Sequence, residues 1–543
     1  MRTHHRSHTR PAVAVLGSLL LVAAGAGAVG AVPAAASPTA AAPAAAIPLG
    51  QIVPAPAKAT AGGSAYRITA STRIRVEDGS RDARRVGDHL ADVLRPSTGY
   101  KLPVTDDDGR DGIRLELNRK DGRLGAEGYR LTSDGRSVTI VAREAAGLFH
   151  GVQTLRQQLP AKVEANSRQS GPWLVAGGTI EDTPRYDWRG AHLDVSRHFF
   201  GVDQVKRYID ELALYKVNKL HLHLSDDQGW RIAVDSWPKL ATYGGSTQVG
   251  GGAGGYYTKA QYKEIVRYAA SRYLEVVPEI DMPSHTNAAL ASYAELNCDG
   301  VAPPLYTGTE VGFSSLCVDK DITYEFVDDV VRELAAITPG KYLHIGGDEA
   351  HSTSHEDYVT FMNKVQPIVA KYGKTVVGWH QLTAATPAKG ALAQYWGTEG
   401  TSAAEKAQVA EAAKNGTGLI ISPADRTYLD MKYDKDTPLG LSWAGYVEVR
   451  RSYDWDPGNY LTGAPASAVR GVEAPLWSET LTKTADIEYM AFPRLPGVAE
   501  LGWSPAATHD WDTYKVRLAA QAPRWDALGI GYYKSPQVPW PTK

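Results

Sequence analysis

The sequence predicts a (β/α)8 barrel preceded by a smaller α+β domain with an antiparallel sheet. Two observations predict it. After Pro184, short apolar runs that end in polar residues alternate with helical stretches, and eight such runs can be counted. Before Pro184 the pattern is of half-buried strands and two helices. The 543 residues suffice for such a pair, at roughly 150 residues per ordinary domain. With 58 Lys+Arg against 60 Asp+Glu the net charge is −2, which argues against a basic nucleic-acid surface and against an acidic solvating chain. Two cysteines exclude a disulfide-rich scaffold and a Cys-ligated zinc framework.

Taken in order, Arg2, Arg6 and Arg10 precede an apolar stretch that breaks at Pro33, and Ala34-Ala35-Ala36 reads as a cleavage site. Residues 1–36 are expected to be a secretory signal peptide, with a membrane anchor as the rival, and the mature protein to be extracellular and free of the membrane. Residues 37–47 form an Ala/Pro-rich spacer. Export permits a disulfide, and Cys298 and Cys317 are its candidates, two free thiols being the alternative.

The α+β domain is expected over 48–183. Residues 66–76 and 113–117 alternate as strands, 129–142 is a hairpin around Asp134-Gly135, and 80–95 and 145–159 are helical. No paired carboxylates or histidine cluster stand out there, so its expected role is support. The barrel is expected over 184–543. Its runs are 190–197, 219–227, 274–285, 342–349, 375–381, 391–397, 418–430 and 469–479. Helix 203–216 places Val205, Tyr208, Ile209 and Leu212 on one face. Helix 258–273 opens with Thr258 and Gln261 at capping-box spacing. Repeated strand–helix units imply right-handed crossovers between parallel strands, although an open doubly wound sheet fits the same pattern.

Barrel enzymes carry their sites at the C-terminal strand ends. Here those ends hold Arg197, Asp226-Asp227, His285, Asp348-Glu349, Trp379, Trp396, Tyr428 with Asp430, and Trp477 with Glu479. Several carboxylates, an arginine, a histidine and four aromatics describe a glycosidase pocket: rings pack on the sugar, charged groups bond its hydroxyls, carboxylates move protons. Asp348-Glu349 is the favoured pair. Adjacent strand residues face opposite ways, so both reach one substrate only where the strand gives out, as Gly346-Gly347 permits. The bland alternative is a helix N-terminal cap. The Gly-rich run 249–258 lacks the ending of a phosphate loop and reads as a mobile loop. His221 and His223 sit inside a strand and suit a core role better than a metal site. Asn415-Gly-Thr is a glycosylation sequon.

The strings WRGAHLDVSRHFF, NKLHLHLSDDQGWR, VPEIDMPSHTNAAL, LHIGGDEAH, VGWHQ, ADRTYLDM and GVEAPLWSET resemble family 20 glycoside hydrolases, the β-N-acetylhexosaminidases, and in particular the secreted members from Streptomyces. The likeness extends to HGVQTLRQQLP in the N-terminal domain. The resemblance implies exo-acting removal of terminal β-linked N-acetylglucosamine or N-acetylgalactosamine with retention, from chito-oligosaccharides or other glycans, without metal or organic cofactor. Carried over by position, Glu349 resembles the general acid/base and Asp348 the residue that orients the substrate's 2-acetamido group. Tyr428 looks like the hydroxyl that bonds the acetamido oxygen. Trp379, Trp396 and Trp477 look like the pocket walls, and Arg197, Asp430 and Glu479 like the binders of ring hydroxyls. Asp226 and His285 look like a supporting pair behind Glu349. The charge on Asp348 and partial burial are expected to raise the pKa of Glu349. An endo-acting chitinase, a disaccharide-releasing relative and a non-catalytic glycan-binding protein are the alternatives.

Overall fold

The computed structural model describes residues 45–542 except Asp78. The leader expected over 1–36 and most of the spacer expected over 37–47 lie outside these residues. Among the described residues no helix is long and apolar enough to cross a membrane.

Eight strands close into a barrel in chain order, and each expected run supplies one. They are β1 (Trp188–Asp194), β2 (Lys219–His223), β3 (Glu275–Glu279), β4 (Tyr342–His344), β5 (Thr375–Trp379), β6 (Leu392–Tyr395), β7 (Gly418–Ile421) and β8 (Val469–Ala474). Neighbours are parallel throughout, and β8 pairs back onto β1, which excludes the open sheet. The helices after β1 and β2, α1 (Val202–Leu214) and α2 (Lys259–Ser271), bury the stripes their periodicity predicts: Val205, Tyr208, Ile209 and Leu212, then Tyr262, Ile265, Val266 and Ala269. Thr258 and Gln261 form the reciprocal capping box at the start of α2.

Register decides what fills the barrel. His192 lies opposite His221, and His223 opposite Glu279. Side chains alternate along each strand, so these residues share the inward face with His344, Gln394 and Glu473. Trp188, Val277, Val377, Leu392 and Ile420 pack together as an apolar plug. Above the plug the interior is polar and buried, so charged groups there are stable only where they pair.

The N-terminal domain is a seven-stranded sheet in the order 58–61, 178–182, 129–133, 137–142, 112–117, 74–76, 104–105, covered by helices Arg81–Thr98 and Ala145–Gln158. The hairpin at Asp134-Gly135 is antiparallel as expected, and parallel pairings join 137–142, 112–117 and 74–76. Residues 66–76 do not form one strand. Tyr66–Ile68 pairs with Trp173–Val175 in a separate sheet, and Ile74–Val76 enters the main one. A turn closed by Thr72, whose hydroxyl accepts from Thr69 N at 2.9 Å, separates them. Alternation persists across the break because each half buries one face.

This domain grips the end of the barrel where the strands begin. Glu127 accepts from Arg189 at 2.5 Å and from Asn218 at 3.2 Å. Fully buried Lys216 donates to Asp182 at 3.1 Å, and Trp503 donates to the same carboxylate at 3.0 Å. Carboxylates of the small domain thus hold the barrel at the end opposite the strand C-termini, the supporting role expected of it.

Candidate active site

The strand β4 ends at His344, and the backbone turns at Gly346 and Gly347, with φ of 64° and 100°. Glu349 itself has φ 47°, a conformation that costs a non-glycine residue about 1–2 kcal/mol. The corner is locked from several sides. Gly347 N donates to Asp281 Oδ1 at 3.0 Å, the Tyr358 hydroxyl donates to Gly347 O at 2.7 Å, and the Ser284 hydroxyl donates to Asp348 O. Released from strand alternation, the adjacent carboxylates of Asp348 and Glu349 share one neighbour: His285 Nε2 lies 3.8 Å from Asp348 and 3.3 Å from Glu349.

Behind His285 stands Asp226, whose Oδ1 is 3.3 Å from His285 Nδ1. Asp226 and His285 are therefore in contact with each other, and His285 touches Glu349. The Asp226 Oδ2 atom meets His223 Nε2 at 2.7 Å and Arg197 at 2.9 Å. Arg197 also reaches Asp194 at 3.5 Å and lies over the Trp477 ring at 4.9 Å. Its bonds go to Asp226 and Asp194 rather than to Asp430, and Glu479 acts on it by charge alone.

The two carboxylates differ in their hold on a proton, in the opposite sense to the expectation. Burial pushes the Asp348 carboxyl up to about 6, helped by the charge on Glu349 and opposed by His285. Burial acts on Glu349 too, but its hydrogen bond to His285 and the charges of His285 and Arg197 outweigh it and hold Glu349 below the usual range. The cause is position. The Asp348 side chain is 12% exposed and Glu349 28%, and His285 stands nearer to Glu349. The repulsion expected to raise Glu349 raises Asp348 instead.

Aromatic residues from β5, β6, β7 and β8 enclose the site. Trp379 and Trp477 have ring centroids 5.7 Å apart, and Tyr428 lies 6.2 Å from Trp477. Tyr428 is buried, and burial with the charges of Asp348 and Asp430 keeps its hydroxyl protonated. Trp396 is anchored by its Nε1, which donates to Gln381 at 3.0 Å. Asp430 accepts from Trp477 N at 3.4 Å through Oδ1. Buried polar atoms of the site without a hydrogen-bond partner include Asp348 Oδ1, His285 Nε2, Asp430 Oδ2, Trp379 Nε1 and Arg197 Nε. Such atoms are costly unless a ligand bonds them.

Strand-end reasoning overlooked Trp443 and Asp281. Trp443, 56% exposed, stands edge-on to Tyr428 at 5.9 Å and to Trp396 at 6.0 Å. It belongs to the long stretch between β7 and β8, which the strand-end rule does not cover. Asp281 lies just past the end of β3, where its carboxyl accepts from Gly347 N. Asp227, the strand-end neighbour of Asp226, accepts from Asn287 N at 2.9 Å and Ser314 at 2.5 Å beside His285. The loop 249–258, expected to be mobile, is tied to the site: Val249 N donates to Arg197 O at 2.9 Å, and Arg231 donates to Gly255 O at 3.0 Å. His192, His221 and Glu279 offer ligand atoms within 4.8 Å of one another, as do His223, Glu279 and Asp281. Both ring nitrogens of His223 are hydrogen-bonded to carboxylates, and His221 is bonded to Glu473 through Nδ1, with its Nε2 3.0 Å from Glu279. Cys298 and Cys317 form the expected disulfide.

Residues 186–506 match the catalytic domain of glycosyl hydrolase family 20, and residues 50–183 match domain 2 of that family. A β-N-acetylhexosaminidase of Cellulomonas fimi is 43% identical over 493 residues, spanning 90% of this chain and 97% of that one. The solved family 20 β-N-acetylhexosaminidase of Streptomyces coelicolor A3(2) superposes with a TM-score of 0.90 at 76% identity, over 92% of this chain and 100% of that one. A mutant β-hexosaminidase of Streptomyces plicatus, solved with its product GlcNAc, superposes with a TM-score of 0.90 at 77% identity, over 92% and 99% of the two chains.

Proposed function

Since the chain belongs to glycosyl hydrolase family 20, we propose that it is an exo-acting, retaining β-N-acetylhexosaminidase whose nucleophile is the substrate's own acetamido oxygen. The observation that carries this reading is the Gly346-Gly347 corner, which turns Asp348 and Glu349 toward one histidine beside the cluster of Trp379, Tyr428 and Trp477.

A terminal N-acetylhexosamine enters with its ring and acetamido group against Trp379, Trp396 and Trp477. Asp430 and Glu479 take the outer hydroxyls and close the pocket, which selects a chain end over a mid-chain sugar. Arg197, bonded to Asp226 and Asp194, braces the Trp477 side of the pocket. The acetamido N–H donates to Asp348 Oδ1, and the Tyr428 hydroxyl donates to the acetamido oxygen. Held there, this oxygen attacks C1 while Glu349 gives its proton to the departing glycosidic oxygen. An intramolecular nucleophile so oriented has a high effective molarity. The resulting oxazolinium is cationic, and an ionised Asp348 stabilises it more than the ground state. Glu349 then takes a proton from water, which attacks C1 from the face the aglycone left and restores the β configuration.

Asp348 and Glu349 titrate as a unit. In the free site the proton favours Asp348. The substrate N–H favours the Asp348 anion and the aglycone covers Glu349, so binding drives the proton to the residue that donates it. Substrates are chito-oligosaccharides or other glycans ending in N-acetylhexosamine, and the leader over 1–36 sends the enzyme out of the cell to meet them.

Successive fluorination of the N-acetyl methyl group tests the nucleophile. A graded fall in first-step rate is expected, and a 2-hydroxy glucoside is expected to be nearly inert. A cyclic thiazoline mimic of the intermediate should inhibit the wild type strongly and Asp348→Asn far less. A sugar ester trapped on Asp348 would overturn the mechanism. Release of internal fragments from chitin would make the enzyme endo-acting, and binding without turnover of a chromogenic N-acetylglucosaminide would make it a lectin.

A further inference from the structure

Six buried side chains beneath the site form a line of alternating charge. Arg197 lies 2.9 Å from Asp226 Oδ2, and His223 Nε2 lies 2.7 Å from the same oxygen. His223 Nδ1 is 2.5 Å from Glu279 Oε2, which His221 Nε2 approaches at 3.0 Å. His221 Nδ1 is 2.7 Å from Glu473, where Trp188 and Gln394 complete the bonding at 2.8 and 2.9 Å. Both nitrogens of His223 thus face carboxylate oxygens at hydrogen-bond distance. A bare lone pair so placed would repel its oxygen, so each nitrogen carries a proton and the ring is a cation. Burial opposes that charge, but Glu279 and Asp226 prevail.

We propose that His223, which lies outside the sugar pocket, is a positioning residue for the acid/base step, acting through Asp226 and His285 on Glu349. The inference rests on the reading of Glu349 as the acid. With Arg197 and His223 both on Oδ2, Asp226 has much of its charge neutralised, and its other oxygen meets His285 at a loose 3.3 Å. His285 is itself a cation, because Asp226 and Asp348 outweigh its burial, and it holds Glu349 toward the carboxylate. Without the His223 cation, more of the charge on Asp226 would be left to offset His285, and Glu349 would keep its proton to higher pH.

Other groups around His223 do not replace it. From β1 come Asp194, which faces it in register, and His192, whose ring centroid is 5.7 Å away. Asp281 and Glu279 approach from β3. Burial, with Asp348 adding to it, keeps Asp281 neutral, and Trp477 from β8 covers the ring edge-on at 5.0 Å. His344 Nδ1 lies 2.9 Å from the second oxygen of Glu279 but accepts from Gly346 N, so it supplies no cation there. His223 is the cation these elements place against Asp226 besides Arg197 and His285.

Neutron diffraction from the unaltered protein tests the charge directly: deuterium is expected on both His223 nitrogens, and a bare nitrogen would overturn the proposal. Kinetics test the role. In His223→Gln the basic limb of kcat/KM on chitobiose should move about one pH unit higher, tenfold in the population of the acid form per unit. On that limb chitobiose should gain about tenfold relative to a dinitrophenyl glycoside, whose leaving group needs little protonation. Should that variant fail to fold, Glu279→Gln removes the anion that holds the His223 proton and should move the limb the same way. A folded variant that loses equally on both substrates with its limb in place would reduce His223 to a packing residue. An unaltered enzyme inactive on either substrate would defeat the functional reading instead, leaving the neutron result to decide the charge.

Discussion

A Cβ atom placed on Gly346 would lie 1.7 Å from Asp281 Oδ1. The carboxyl group of Asp281 occupies the room that the missing side chain leaves, and from there its Oδ1 accepts from Gly347 N. The corner that aims Asp348 and Glu349 is thus built from an absent side chain and a buried acid together. Gly346→Ala must both tolerate a φ of 64° and displace Asp281. The variant is expected to lose thermal stability and to lose kcat on every substrate, good or poor leaving group alike, because the pair is misaimed rather than chemically altered. Scanning calorimetry and paired kinetics check this, and normal kcat would show that the corner tolerates a side chain.

Glu349→Gln should be felt most where the leaving group needs a proton. On chitobiose the first step should fall on the order of 10²–10⁴-fold, the usual range for general acid catalysis. With a nitrophenyl glycoside the first-step loss should be much smaller. Equal pre-steady-state losses on the two substrates would count against its role as acid.

The buried histidines make stability depend on alkaline pH. The pKa of His221 rises from its ordinary 6.5 to about 9, since Glu279 and Glu473 overcome the burial that would lower it. A raised folded pKa stabilises the fold fully below pH 6.5 and progressively less as pH climbs through 9. The contribution is of order 3 kcal/mol. The melting temperature is therefore expected to fall between those limits, with a shallower slope in His221→Gln. A flat profile in the unaltered protein would show that His221 is neutral throughout.

Reducing the Cys298–Cys317 bridge, which closes a loop of 19 residues in sequence separation, should cost roughly 2–4 kcal/mol of stability. The Michaelis parameters of the folded protein should not change, because neither cysteine lies at a strand end. A shift in KM on mild reduction would tie the loop to substrate binding.

Much of this was legible in the sequence because barrel architecture is written in local patterns. Each strand is a short apolar run, each run ends in the residues that face the site, and the Gly-Gly before Asp348 marks where alternation fails. The stripes of α1 and α2 and the Thr258–Gln261 cap are equally local. Residues 66–76 misled because alternation reports which face is buried and not which sheet buries it.

What only the tertiary structure decided depends on groups far apart in the chain. His221 meets Glu473 across 252 residues, and His223 meets Glu279 across 56. No spacing rule joins them; barrel closure and register do. The same holds for the proton preference of Asp348 over Glu349. Identical chemistry in adjacent positions acquires opposite shifts because one carboxyl is deeper and the other nearer His285. The sequence by itself marked the strand-end residues that gather around Asp348 and Glu349, since strand ends are a local property, but not Trp443, which comes from a long loop. Their charges are a property of desolvation and of neighbours brought in from other strands, and these exist only once the barrel has closed.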